Sequence, residues 1–77
     1  MTRREEYDME ILPMTKQELA LMYAPDLTPH SAVNRLMKWV KFHPVLWTQL
    51  QQTGYQNHSR ILSAHQVQLI VEHLGEP

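Results

Sequence analysis

The chain has 77 residues, 43% of them apolar, a formal net charge of −1 and no cysteine. This describes one domain near the lower limit for a self-sufficient core, with too much apolar content for a disordered chain. It excludes a disulfide framework and a thiolate metal site, and the apolar runs are too short to cross a bilayer.

Residues 1–14 show neither helical nor strand periodicity and read as a flexible arm, with Ile11 and Leu12 tucked against the body. The opening MTRREEYDME is charged and has no export-signal stretch, so the expected location is the cytoplasm. Residues 15–77 read as a single domain. Its first helix starts from Thr15, where TKQE makes a capping box with Glu18. Leu19, Met22 and Tyr23 are predicted to face inward, and Pro25 ends the helix after Ala24. Pro25 and Asp26 then serve as turn formers in a short connector.

The second helix, over residues 28–43, is the element on which the functional reading turns. Thr28 is a good N-cap, Pro29 suits the first helical position, and Pro44 prevents continuation past His43. Val33, Leu36, Met37 and Val40 recur at i, i+3, i+4 and i+7 and are predicted to be buried. Ser31, Asn34, Arg35 and Lys38 fall on roughly the opposite side, with Lys41 at its margin. A short helix, a tight turn and a longer helix form the helix-turn-helix pattern, here without the glycine often found in the turn.

A third helix is predicted over residues 44–53, with Leu46, Trp47 and Leu50 inward and Gly54 as its left-handed stop. Residues 55–62 fit either two very short antiparallel strands, a small wing, or an irregular loop. Ser63 and Gln66 make a second capping box. Val67, Ile70, Val71 and Leu74 form the buried stripe of the last helix, which Gly75 ends. The predicted class is therefore mainly α: a small four-helix domain with a helix-turn-helix, open to a short β-hairpin wing before the last helix.

Charge is unevenly distributed. Residues 1–26 hold six acids against three bases, whereas residues 27–71 contain no Asp or Glu. That 45-residue span carries Arg35, Lys38, Lys41 and Arg60, with His30, His43, His58 and His65. A surface free of negative charge suits a polyanionic partner, although a solvated low-charge surface has the same composition. Nothing points to an enzyme. The histidines show no i, i+4 pair and no metal-ligand motif, and Gly54 and Gly75 are both placed as helix stops. No catalytic residue, metal or cofactor is therefore expected.

Trp47 reads as core, Trp39 as a flank residue more suited to packing, and Phe42 falls near the polar face. The favoured partner is double-stranded DNA. Ser31, Asn34 and Arg35 are the base-edge candidates, and Lys38, Lys41 and Arg60 the phosphate candidates. The alternative is a small protein-interaction module, binding a protein partner or a second copy through Trp39 and Phe42, with no nucleic acid and no membrane. The DNA reading needs Arg35, Lys38, Lys41 and Arg60 on one face; scattering them removes most of its support. The acids at Glu5, Glu6, Asp8 and Glu10 raise the further idea that the arm covers the basic face.

Two resemblances extend this reading. The segments TKQELALMYAPDLTPHSAVNRLMKWVK, LWTQLQQTGY and RILSAHQVQLIVEHLGEP resemble a family of short gut Bacteroidetes proteins, the domain of unknown function DUF4248. The resemblance covers residues 15–77. It implies a bacterial, intracellular, single-domain protein and no particular site residue. More loosely, RILSAHQV before an apolar helix is similar to the winged helix-turn-helix of excisionases and MerR-type regulators. That resemblance implies that Arg60, Leu62, Ser63 and Val67 lie at the wing exit and the helix after it. The chain departs from the pattern in its additional helix over residues 44–53 and in having no long C-terminal helix for a coiled coil.

Overall fold

Side chains that take up first-turn amides fix where the helices begin. A computed structural model describes residues 10–77. Helix α1 (Lys16–Tyr23) is capped by Thr15 in a complete capping box: Glu18 N–H donates to Thr15 Oγ1, and Thr15 N–H donates to Glu18 Oε1. Helix α2 (Pro29–Phe42) is capped by Thr28 with Pro29 just inside it. Helix α3 (Pro44–Gln52) is capped by the His43 imidazole, which accepts from the Leu46 amide at 3.4 Å. Helix α4 (Ala64–Leu74) has the second complete box, built by Ser63 and Gln66. Gly54 and Gly75 follow α3 and α4 at φ of 86° and 89°, where a Cβ would be strained.

The core lies where the four helices converge. Leu19, Leu36, Val40, Leu46, Leu50, Leu62, Val67 and Ile70 are fully buried there. The buried faces differ in detail from those the spacing predicts. In α1, Lys16, Leu19 and Ala20 are buried and Tyr23 half-buried, whereas Met22 is exposed. Positions 16, 19, 20 and 23 form the true i, i+3, i+4, i+7 stripe, and it escapes a hydrophobicity count because it starts on a lysine. In α2 the deepest line is Ala32, Leu36 and Val40, with Val33 and Met37 at its edge.

Residues 53–60 form turns rather than a hairpin of their own. A two-stranded antiparallel pair does precede the last helix, but its strands come from distant parts of the chain. Strand β1 (Met14–Thr15) pairs with β2 (Ile61–Leu62), in register Met14 with Leu62 and Thr15 with Ile61. The ladder runs on as Lys16 N–H donates to the Arg60 carbonyl at 2.9 Å. So the chain segment before α1 is stitched to the one before α4. Ile11 packs against the core, while Leu12 is exposed. The covering of the basic face by Glu5, Glu6 and Asp8 concerns residues outside those described.

Two further links close the fold. The Tyr23 hydroxyl donates to the Gly75 carbonyl, joining the end of α1 to the end of α4. Buried Gln66 uses its second function on the Thr53 hydroxyl (2.9 Å), which itself donates to the Leu50 carbonyl at 2.6 Å. The end of α3 is thereby tied to the start of α4 through a fully satisfied polar network. No helix among the described residues is long and apolar enough to cross a membrane.

Candidate functional site

With Ala32, Leu36 and Val40 in the core, the opposite side of α2 is left to solvent. Asn34, Arg35 and Lys38 are all exposed and line one open concavity, which is completed by Trp39 and Phe42. The spacing accounts for this: positions 34, 38 and 42 follow one another at i, i+4 and i+8, with 35 and 39 alongside. Ser31 is exposed on the preceding turn but does not line this concavity. Asn34 is positioned from within the helix, its Nδ2 lying 3.3 Å from His30 Nε2. An amide nitrogen can only donate, so the imidazole nitrogen is the acceptor.

The aromatic residues divide differently from the spacing argument. Trp39, expected to pack, is 41% exposed, and Phe42 is 76% exposed. Trp39 keeps one supporting contact, an edge-to-face arrangement with Tyr23 at a centroid distance of 6.3 Å. Its ring is held from the α1 side rather than buried, because the rotation of α2 toward Ala32 brings position 39 to the rim.

The remaining cations lie elsewhere. Lys41 Nζ sits 5.8 Å from the Trp47 ring centroid, and that ring meets Tyr55 edge to face at 6.0 Å. Arg60 lines a separate cleft beside the start of α1, together with Lys16 and His58. The four expected cations are thus not gathered in one concavity. Arg35 and Lys38 share one with Asn34, whereas Lys41 and Arg60 belong to the neighbourhood of Lys16.

Lys16 is the residue that sequence reasoning missed. Its side chain is 7% exposed, its Nζ donates to the Asn57 carbonyl at 2.7 Å, and it stands 4.7 Å from the Tyr55 ring centroid. Burial, helped by the positive charge of Lys41, lowers its pKa below the ordinary lysine value. Tyr55 is itself buried and its hydroxyl faces the Met37 sulfur at 3.5 Å; burial pushes its phenol up to about 12. The available signal was Lys16 in phase with Leu19, Ala20 and Tyr23.

A family model for a domain of unknown function, DUF4248, matches residues 10–77. The chain belongs to the DUF4248 family. No curated protein and no solved structure matches it. Among the described residues of the DUF4248 domain, no group of three or more His, Cys, Asp or Glu is placed to hold a metal ion.

Proposed function

We propose that this DUF4248 protein binds double-stranded DNA with the outer side of α2, in gene regulation or the upkeep of mobile DNA. The observation that carries the reading is the shared surface of Asn34, Arg35 and Lys38 on a helix whose other side is locked into the core. In this reading the α1–turn–α2 unit would act as a helix-turn-helix, with α2 as its recognition helix. Asn34 is geometrically suited to adenine and Arg35 to guanine, each through two hydrogen bonds, and Ser31 lies one turn nearer the helix start.

The division of the cations between two concavities takes away the support that a single basic face would have given, so the reading rests on Asn34, Arg35 and Lys38 alone. A major groove about 12 Å wide admits a helix of about 10–12 Å diameter, so sugar–phosphate chains run along both of its sides. Lys38, Lys41 and Arg60 would bind phosphates of those strands. Among the described residues no wing hairpin forms around Arg60, so its part in binding would rest on its exposed position just before β2. Four cations are a modest footprint, so binding would be weak and salt-sensitive, suited to cooperative assembly or a second copy.

Exposed Phe42 and Trp39 favour a second reading, in which the same end of α2 docks a protein partner or a second copy. A mobility assay on random duplex separates the two. The DNA reading expects retention by the native protein and its loss in a folded Lys38→Glu variant; retention unchanged by that substitution contradicts it.

A further inference from the structure

The cleft beside α1 is formed where the β1–α1 junction meets the turn leading into β2. Lys16, Thr15, His58, Ser59 and Arg60 contribute to its lining, and among the described residues no carboxylate does. Its two walls are joined by the 2.9 Å bond from Lys16 N–H to the Arg60 carbonyl. A buried ammonium ordinarily takes a carboxylate partner, since desolvating an unpaired charge is costly. Among the described residues, Lys16 Nζ has instead a backbone carbonyl and a ring face, and the charge acting on it, Lys41, has its own sign. Lys16 and Arg60 line one concave surface, and an anion is the ligand that two cations there would favour. The polar groups of its lining residues are a guanidinium, an ammonium, an imidazole, two hydroxyls and the side-chain amides of Gln17 and Asn57. Thr15 Oγ1 accepts from the Glu18 amide, which leaves its own hydrogen available to a ligand.

We propose that this cleft binds a phosphate group, with Arg60 and Lys16 as its charge partners and the Thr15 and Ser59 hydroxyls as neutral donors. Arginine meets phosphate through paired N–H groups, and charge-assisted bonds of this kind are the strong ones. The α1 amides take little part, because the capping box and the Arg60 carbonyl already occupy those of Thr15, Lys16 and Glu18. The phosphate has two possible sources, a strand of duplex held by α2 or a small phosphorylated molecule. Only the first rests on the DNA reading.

The test is a titration of the full chain with inorganic phosphate against potassium chloride of equal ionic strength, followed by amide chemical shifts. Saturable shifts confined to residues 15–17 and 57–60 are expected with phosphate alone. Arg60→Gln, at an exposed position, should weaken them about tenfold, the scale of one charge-assisted bond. Lys16→Gln serves as the second variant, and His65→Gln, at an exposed position outside the cleft, should leave phosphate binding unchanged. Equal shifts with chloride, or phosphate binding unaffected by Arg60→Gln, overturn the proposal. Phosphate displacing a short duplex supports the strand as the source. Phosphate binding without any duplex binding supports the small-molecule source and removes the DNA reading instead.

Discussion

The side-chain amide of Asn34 lies 3.3 Å from Nε2 of His30, one turn earlier on the exposed side of α2. This bond holds in one direction the side chain best suited to read adenine. Removing it with His30→Ala should leave stability within about 0.5 kcal/mol, since both residues are on the surface. Base discrimination should suffer more than affinity. On a duplex selected from a random pool, Asn34→Ala should lower discrimination at one base pair by about 1–3 kcal/mol. Competition with single-base variants of that duplex measures it; uniform weakening at every position would make Asn34 a backbone contact.

The link between Gln66 and Thr53 is expected to matter for folding and not for binding. Gln66 takes the Ser63 amide with its carbonyl and the Thr53 hydroxyl with its NH2 group. Gln66→Ala loses half of a capping box and leaves a cavity in a buried network, at a cost of about 1–3 kcal/mol. Urea unfolding should show a lower midpoint with the slope unchanged. Thr53→Val should lose part of the same stability, and the double variant should lose less than the two added together.

Alkaline pH should unfold the protein through its tyrosines. Burial, with the Glu76 charge as the lesser cause, raises Tyr23 to about 12, and burial alone raises Tyr55 to about 12. In the unfolded chain these phenols ionise near 10, so above that pH the folded state holds protons that the unfolded state has lost. Their contribution is complete below pH 10 and is lost as the pH rises through about 12. Lys16 acts in the opposite sense. Its lowered pKa lets the folded state shed a proton first, so stability gains slightly as pH approaches 10.5. Thermal melts across this range should show a net fall, shallower in Tyr55→Phe; a fall of the same steepness in that variant would place the cause elsewhere.

Phe42 separates the partner readings. At 76% exposure its replacement by serine should change stability by no more than about 0.5 kcal/mol. If the aromatic end of α2 joins two copies, Phe42→Ser should convert a dimer to a monomer in sedimentation without altering salt sensitivity. A monomer in both forms would confine Phe42 to another partner or to the DNA.

Much of this fold can be read from local chemistry. Thr15 with Glu18, Thr28 with Pro29, and Ser63 with Gln66 mark helix starts because a cap is a contact within four residues. What is not legible is long range. The pairing of Met14 with Leu62 joins segments far apart in the chain, and nothing in either dipeptide names its partner. The same holds for Lys16, whose carbonyl and ring partners lie at Asn57 and Tyr55. At the site, helical spacing alone placed Asn34, Arg35 and Lys38 together, since they share one helix. It could not place Arg60 relative to them, because that depends on how β2 is held against α1.

If the outer side of α2 meets phosphates, salt tests that most directly. Duplex affinity should be measured from low to physiological ionic strength by mobility shift, for the native protein and for Lys38→Gln. With three or four cations engaged, log K should fall against log salt with a slope of about −3 to −4, and the substitution should make it shallower by about 0.9. A flat dependence, or a slope that Lys38→Gln leaves unchanged, would contradict the assignment of this helix to DNA.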